Sequence, residues 1–270
     1  MPKLKIEDNI EIYYRVSGKG PETILLIQGL GHKSSGWQLQ IPFFKKKKMR
    51  VICYDNIGVG KSSRPDFPYT MELYVKIIKK LLEHLDIQIK IHLCGISMGG
   101  MIAQHFVLEY SELVKTLILL ATSAKCNVKP LIDIIKSLES KSEEEKMNEL
   151  LPALFSNSFV RRIKKDAVLY EMLKQDFQTD PTRAQDYVNQ SYAIEHHDTR
   201  EMLNKIKIPT LIIVGSKDIL LPFNPHSKLL SEKIPNSKLE IIKGVGHANT
   251  IEAADKVNNL IWDFIKDYFE

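Results

Sequence analysis

The chain has 270 residues, of which 44% are hydrophobic and 26% are charged, and its formal net charge is +5. This size and composition predict one globular core with room for an inserted subdomain, and they exclude a disordered or fibrous protein. The basic runs at 45–48 and 161–165 contain no interleaved aromatic residues, so we expect solvated surfaces there and no nucleic-acid binding.

The first predicted elements are two short strands, KLKIED and IEIYYRVS, which indicate an opening hairpin that turns near Asp8 and Asn9. Further strands then alternate with helical patterns, which is typical of a mostly parallel sheet with helices on both faces. We therefore predict an α/β fold with an eight-stranded sheet. The further strands are predicted at 23–28, 50–55, 90–95, 115–121, 209–215 and 238–244, and the helices near 70–85, 98–109, 222–233 and 251–268.

The alternation stops between about 126 and 204, where one helical pattern follows another. Pro130 and Pro181 stand at expected helix starts, where the missing N–H of proline costs nothing. We therefore predict a core formed by 1–125 and 205–270, with a helical insertion at 126–204. The four helical patterns are PLIDIIKSLES, SEEEKMNELLPALF, VRRIKKDAVLYEMLKQDF and TRAQDYVNQSYAIEHH.

A serine flanked by glycines stands where a predicted strand turns into a predicted helix, in GISMG at 95–99. A one-step turn of this kind strains the backbone of the central residue and leaves no room for side chains two positions away. The hydroxyl of Ser97 then points off the edge of the sheet. A glycine-rich connection with an N-capping serine is the alternative interpretation, and we favour a nucleophile.

Two partners for this serine follow later strands. Asp218 comes directly after the strand at 209–215, and His247 comes after the strand at 238–244. Because the carboxyl ends of parallel strands share one edge of the sheet, we expect Asp218 to orient His247 and His247 to take the proton of Ser97. Taken singly, the aspartate could be a turn former and the histidine a structural residue.

Attack by a serine on a carbonyl group produces an oxyanion that needs two N–H donors. The backbone N–H of Met98, directly after the serine, is one candidate. The loop GLGHKSSGW, at 29–37, offers the other, and Leu30 is the expected donor because its neighbouring glycines let the backbone approach a ligand. The alternative is an ordinary glycine-rich turn.

Membrane and metal functions find no support in the sequence. The first residues lack the apolar segment of a secretory signal, and runs such as TLILLA are too short to span a bilayer. Of three cysteines, Cys53 and Cys94 fall in predicted strands, and no spacing is typical of a metal site. We expect a cytoplasmic protein without a membrane span, bound metal or cofactor.

These motifs together resemble the α/β-hydrolase superfamily over nearly the whole chain. GISMGG resembles its nucleophile elbow, GSKD its acid turn and GVGH its histidine loop, and YDNIGVGKSSRPDFPYT is similar to its D-x-R-G-x-G-x-S segment. The helical insertion has the position of the family's cap, which roofs the active site. The segments DNIGVGKSSRPDFPYTM, SMGGMIAQ and HDTREMLNKIKIPTLIIVGSKD look most like carboxylesterases of the 3-oxoadipate enol-lactonase type.

Two positions depart from the family pattern. Gln28 stands where the resemblance leads us to expect histidine, and Gln28 cannot titrate. Asn56 stands where arginine is expected, which removes a charge that would brace Asp55. Neither change affects Ser97 or its two partners.

The resemblance implies a serine hydrolase that acts on a small-molecule ester or lactone and needs no cofactor. C–C bond hydrolysis or a peroxide-dependent, haloperoxidase-like reaction is the alternative on the same residues. A ligand receptor without catalysis is the alternative from another class of protein. An apolar roof suggests an apolar acyl group, with Trp37, Leu151, Phe155 and Tyr192 as candidate pocket residues. The sequence leaves the oligomeric state open.

Overall fold

The structure, a computed structural model, describes residues 2–269, with the backbone only at 143 and 177. Eight strands form one sheet in the order β1-β2-β4-β3-β5-β6-β7-β8. Strand β2 runs antiparallel to β1 and β4, and all other neighbours are parallel. The predicted hairpin and mostly parallel sheet are confirmed. The strands are β1 (Lys3–Glu7), β2 (Ile10–Ser17), β3 (Thr23–Ile27), β4 (Arg50–Tyr54), β5 (Ile91–Ile96), β6 (Val114–Leu120), β7 (Thr210–Gly215) and β8 (Ser237–Ile242).

Helices cover the sheet on both faces. Eleven α-helices lie within the described residues, and those at 70–85 and 98–109 match the predicted ranges closely. They are α1 (Gln40–Lys46), α2 (Met71–His84), α3 (Met98–Glu109), α4 (Lys129–Ser137), α5 (Glu143–Leu154), α6 (Asn157–Lys165), α7 (Ala167–Gln178), α8 (Ala184–Glu195), α9 (Lys228–Lys233), α10 (Asn249–Glu252) and α11 (Ala254–Ile265).

The core is divided by the sheet into two layers. Every residue of β3 is buried, and successive side chains point to opposite faces. Leu25 and Ile27 belong to the layer that contains residues of α2 and α3. Ile24 and Leu26 belong to the layer formed with α1 and α11. Continuous apolar strands are therefore required by burial on both faces.

Five helices, α4 to α8, lie between β6 and β7, and no strand occurs within 126–204, all of which the structure describes. Two sequence predictions here were wrong in detail. The pattern at 160–177 forms two helices, because Asp166 leaves the helical conformation and its side chain accepts the Leu169 N–H at 3.0 Å, which caps α7. Pro181 precedes α8 without starting it, whereas Pro130 does lie in the first turn of α4.

The two predicted C-terminal helices also differ from the prediction. The helix expected at 222–233 begins with an irregular turn at 223–227, where Asn224 is extended, and α9 starts only at Lys228. The helix expected at 251–268 is divided into α10 and α11 at Ala253. Within the described part of the chain, every helix is too short or too polar to span a bilayer.

Candidate active site

Ser97 lies at the one-residue turn between β5 and α3, and its φ of 54° and ψ of −122° are rare for a residue with a side chain. The flanking glycines are sterically required. A Cβ on Gly95 would lie 2.2 Å from the Gly99 carbonyl oxygen, and one on Gly99 would lie 2.2 Å from that of Ile27. The predicted strain at this serine and the need for glycine on both sides are confirmed.

Hydrogen bonds hold the backbone of Ser97 in this conformation. Its N–H donates to the Leu120 carbonyl oxygen at 2.9 Å, and its own carbonyl accepts from the Thr122 hydroxyl at 2.7 Å. A Cβ on Gly100 would meet the Thr122 side chain at 2.7 Å, so this glycine allows α3 to approach the end of β6. The serine is therefore presented by a rigid turn.

His247 and Asp218 form a buried hydrogen-bonded pair at the same edge of the sheet, since β5, β7 and β8 are parallel. His247 Nδ1–H donates to Asp218 Oδ2 at 2.8 Å, and the two side chains are 8% and 0% exposed. Asp218 Oδ1 accepts the N–H groups of Leu220 and Leu221 at 3.0 and 2.9 Å. With Nδ1 protonated, Nε2 of the neutral ring is left as a proton acceptor.

The pKa of the Asp218 carboxyl is lowered. Burial on its own raises this pKa, but the charge and hydrogen bond of His247, together with the N–H donors of Leu221 and Leu220, outweigh burial. Asp218 is therefore ionised near neutral pH. An ionised carboxylate at Nδ1 stabilises the imidazolium form of His247 when the ring accepts a proton at Nε2.

Ser97 and His247 line one cavity of about 110 Å³ between the sheet edge and the helical insertion. Most lining side chains are apolar, and nine of the 21 lining residues come from the insertion. The polar lining groups from the core are Gln28, His32, Ser97, His247 and Thr250, and those from the insertion are Asp176 and Tyr187.

The loop after β3 lies directly against Ser97, and a Cβ on Gly29 would be 3.1 Å from Ser97 Cβ. In this loop the Gly29 N–H donates to Gln28 Oε1 at 3.3 Å and the Gly31 N–H to Gln190 Oε1 at 2.9 Å. Between them, the Leu30 N–H has no protein acceptor among the described residues. The N–H groups on either side of Leu30 are thus bonded within the protein, whereas its own is not.

Met98 is the other predicted donor, and it is the first residue of α3. The first N–H groups of a helix have no partner within the helix. Within the described part of the chain the Met98 N–H donates to no protein acceptor. The geometry therefore leaves two backbone N–H groups, of Leu30 and Met98, available beside Ser97.

Gln28 and Asn56, the two departures from the expected pattern, are joined to each other. Asn56 Nδ2–H donates to the Gln28 carbonyl oxygen at 3.0 Å. The Gln28 side chain turns back to its own loop and also lies close to Gly36, where a Cβ would be 2.5 Å from Gln28 Nε2. These contacts shape the loop with uncharged groups.

Asp55 is held without the arginine that the family pattern leads us to expect. Its Oδ1 accepts the N–H and the hydroxyl of Ser34 at 2.8 and 2.6 Å, and its Oδ2 accepts the Lys61 N–H at 3.0 Å. Backbone and hydroxyl donors thus satisfy this buried carboxylate. The loss of the arginine charge is compensated locally.

The candidate pocket residues are only partly in the cavity. Phe155 lines it, but the predictions for Trp37, Leu151 and Tyr192 were wrong. Trp37 is fully buried in the core layer beneath the sheet. Leu151 packs among the helices of the insertion. Tyr192 is 38% exposed, and its ring lies against His196 with centroids 4.0 Å apart.

Four polar lining residues were missed, namely His32, Asp176, Tyr187 and Thr250. His32 follows the loop glycines directly, which was the available signal. Burial lowers the pKa of His32, and nearby Asp176 only partly opposes this, so the ring is neutral near pH 7. Asp176 accepts the Ser35 hydroxyl at 2.5 Å.

Metal-binding and thiol chemistry are not evident around the cavity. Among the described residues, no three histidine, cysteine or acidic side chains are placed to hold a metal ion. The cysteines are unpaired, and burial raises the pKa of the Cys53 thiol to about 12 and raises that of Cys94 as well. These thiols are therefore protonated, unreactive core groups.

Comparison with known proteins gives one family. The family model for the alpha/beta hydrolase fold matches residues 22–254. A proline iminopeptidase from Lactobacillus helveticus is 29% identical over 293 residues, covering 96% of both chains. The 3-oxoadipate enol-lactonase 2 of Acinetobacter baylyi is 28% identical over 268 residues, covering 96% of this chain and 95% of the other.

Solved structures are also similar to this chain over nearly its whole length. The enol-lactonase from Burkholderia xenovorans LB400 superposes with a TM-score of 0.86 and 25% identity, covering 98% of this chain and all of the other. The bromoperoxidase from Bacillus anthracis superposes with a TM-score of 0.85 and 27% identity, covering 98% and 99%. Proteins similar to this chain thus carry names from several reaction classes.

Proposed function

Since the chain belongs to the alpha/beta hydrolase family, we propose that it is a serine hydrolase that cleaves carboxylic esters or lactones. The observation that carries the proposal is the arrangement around one cavity. Ser97 on its strained turn and His247, which bonds Asp218 at 2.8 Å, both line it. Leu30 lines it as well, and its N–H and that of Met98 have no protein acceptor among the described residues. These are the groups that acyl transfer requires.

In the proposed reaction, Ser97 Oγ attacks the carbonyl carbon while His247 Nε2 takes the hydroxyl proton. The N–H groups of Leu30 and Met98 donate to the resulting oxyanion. The carbon–oxygen bond to the alcohol then breaks, and His247 returns the proton to the leaving oxygen. Water, deprotonated by His247, attacks the acyl-enzyme and releases the acid, which restores Ser97.

We infer that residues 126–204 form a cap domain inserted in a core formed by 1–125 and 205–270. Nine lining residues come from this insertion, and eight of them are apolar or aromatic. A substrate would therefore be enclosed between the reacting groups of the core and the apolar side chains of the insertion. Enclosure of this kind excludes water and strengthens the hydrogen bonds to the oxyanion.

The lining favours neutral, apolar substrates over the substrate class named for one relative. A 3-oxoadipate enol-lactone carries a free carboxylate, whereas the described cavity wall contains Asp176 and neither lysine nor arginine. Lys33 Nζ lies 3.8 Å from Asp176 Oδ1, but Lys33 lines an adjoining cavity. We therefore propose an uncharged ester or lactone with an apolar acyl group.

The test is hydrolysis of short-chain p-nitrophenyl esters by the purified protein. Ser97→Ala should lower kcat by on the order of 10⁴-fold or more, because residues of a triad act as a unit. Ser123→Ala is the matched control, since this buried serine lies outside the cavity. Equal turnover by wild type and Ser97→Ala would refute the proposal.

A peroxide-dependent reaction is the second candidate, and its support is the likeness to the bromoperoxidase structure. Hydrogen peroxide in place of water would attack the acyl-enzyme at the same carbon and release a peracid. Assays with acetate and hydrogen peroxide test this activity. Proline p-nitroanilide tests peptidase activity, and vinylogous diketones test C–C hydrolysis, so the three assays distinguish these reactions from ester cleavage. A fluorophosphonate that labels wild type but not Ser97→Ala distinguishes every enzyme from a ligand receptor.

A further inference from the structure

Glu252, the last residue of α10, joins the loop of His247 to the helical insertion. Its Oε2 accepts the Gly246 N–H at 2.9 Å and the Ser156 N–H at 3.0 Å. Its Oε1 accepts the Ser156 hydroxyl. One partly buried carboxylate thus holds three donors, two from the insertion and one from the residue directly before His247.

A second bond lies on the other side of His247. The Ala248 N–H donates to the Leu154 carbonyl oxygen at 2.8 Å. Both neighbours of His247 are therefore attached to the same segment, residues 154–156, which connects α5 and α6. We call this segment the α5–α6 junction.

The two backbones are in direct contact at this point. A Cβ on Gly246 would lie 2.7 Å from Ser156 N and 2.8 Å from Phe155 Cα. No side chain can separate the loop from the α5–α6 junction. Phe155, the central residue of the junction, lines the cavity that also contains His247.

The loop depends on this attachment because, among the described residues, its other hydrogen bonds to neighbouring elements lie before Gly246. Ser216 Oγ accepts the Gly244 N–H at 2.9 Å, and the Val245 carbonyl accepts the Lys217 N–H at 2.8 Å, so the hydrogen bonds from the turn after β7 hold the first part of the loop. The His247 carbonyl accepts the Asn249 N–H at 2.8 Å, which is a bond between near neighbours in the chain. Asp218 orients the imidazole through Nδ1 but does not fix the backbone that carries it. The distance from Nε2 to Ser97 depends on that backbone.

We propose that Glu252 is a positioning residue that holds the His247 loop against the α5–α6 junction, and so sets His247 and the Phe155 wall of the cavity relative to Ser97. The inference rests on the proposed hydrolase function. Glu252 touches neither the serine nor the proposed acyl group. It acts through the backbone of its neighbours.

Glu252→Gln tests the proposal, since an amide keeps the size of the carboxylate but replaces one acceptor oxygen by a donor. We expect kcat per active site to fall by about 10- to 100-fold with little change in KM, because a small displacement of the base affects the chemical step. Active sites are counted by fluorophosphonate labelling. Asp255→Asn, which removes the same charge from an exposed position three residues away, should leave kcat unchanged.

A second readout does not require activity. In wild type, the His247 Nδ1–H proton bonded to Asp218 should give a low-field proton resonance, which Asp218→Asn abolishes. In Glu252→Gln this resonance should shift or broaden while the melting temperature stays close to that of Asp255→Asn. Ser156→Ala removes the hydroxyl donor to Glu252 and also the cap that this hydroxyl forms with the Phe159 N–H at the start of α6. It should produce a smaller change in the same direction and serves if Glu252→Gln folds poorly.

The results separate the two proposals. If Glu252→Gln and Ser156→Ala retain wild-type kcat per active site and an unchanged His247 resonance, Glu252 has no positioning role. If wild type hydrolyses no ester and takes up no fluorophosphonate, the hydrolase proposal fails, and the His247 resonance alone decides whether Glu252 positions the loop.

Discussion

At the scale of single residues, His92 and His247 have similar hydrogen-bond partners but differ in whether they reach the cavity. His92 Nδ1 bonds the Thr116 hydroxyl at 2.8 Å and its Nε2 bonds Glu22 at 3.1 Å, so a carboxylate bonds this ring as Asp218 bonds that of His247. His92 is the second residue of β5, however, and is completely buried with no lining role in the cavity. Access to the cavity, rather than the carboxylate partner, distinguishes His247.

Buried histidines predict a loss of stability in acid. Burial lowers the pKa of His92 and of His197 to about 4, against a usual value near 6.5. Between these values the unfolded chain binds more protons than the folded one, so the free energy of unfolding should fall as pH drops from about 6.5 to 4. We expect a loss on the order of a few kcal/mol.

Urea unfolding at pH 7, 5.5 and 4.5 measures this dependence. His197→Gln should make the free energy of unfolding depend less on pH, because the glutamine side chain takes up no proton in this range. The stability that Asp218 contributes through its lowered pKa is lost only below about pH 4, near the usual pKa of an aspartate, so it does not affect this measurement. A free energy of unfolding that stays constant from pH 7 to 4.5 would contradict the expectation.

At the scale of elements, the turn between β5 and α3 is the feature most strongly constrained by local chemistry. A Cβ added to Gly95 or to Gly99 would lie 2.2 Å from a backbone carbonyl oxygen. The sequence pattern predicted this turn because its requirement is local. The break at Asp166 was missed because a polar residue inside a helical pattern is a cap only if the neighbouring helix turns away.

Gly99→Ala and Gly244→Ala form a matched pair of substitutions. In Gly99→Ala the new methyl group meets the Ile27 carbonyl, so β3 and the serine turn must move apart. We expect kcat to fall by on the order of 100-fold because Ser97 is displaced. In Gly244→Ala the new Cβ meets nothing within 4 Å, although φ is +81°.

That second variant should lose about 1–2 kcal/mol of stability through backbone strain and retain its turnover. Ester hydrolysis and urea unfolding of both proteins provide the measurements. The steric account is wrong if both alanine variants lose activity equally.

At the scale of the whole molecule, the cavity belongs to neither the sheet nor the insertion alone. The core contributes Ser97 and His247, and the insertion contributes most of the apolar wall. Hydrogen bonds join the two, as when Gly31 donates to Gln190 at 2.9 Å and accepts from Thr182 at 2.8 Å. The shape and polarity of the cavity are therefore properties of the assembled fold.

The charge of the cavity wall predicts selection against anionic substrates. A mono-p-nitrophenyl succinate should have a kcat/KM about tenfold below that of its neutral methyl ester, because Asp176 repels the carboxylate in a poorly solvated cavity. Asp176→Asn should reduce this difference. Asp180→Asn, which changes an exposed residue of an adjoining cavity, should not. If the ratio of kcat/KM for the two substrates is the same in wild type and in Asp176→Asn, repulsion by Asp176 does not cause the selection.

The sequence by itself determined the order of the eight strands along the chain, the hairpin and the glycine-flanked turn at Ser97. These features depend on periodicity and on turn chemistry, which act between residues close along the chain. It also indicated Asp218 and His247, because parallel strands bring their carboxyl ends to one edge.

Only the tertiary structure decided which side chains face the cavity. Trp37, Leu151 and Phe155 are all large and buried, yet only Phe155 reaches the cavity, since the packing of distant helices determines which face of each is turned inward. The same holds for Glu252, whose donors from Ser156 lie 96 positions away in the chain. Contacts between residues so far apart leave no local pattern, so no periodicity could have revealed them.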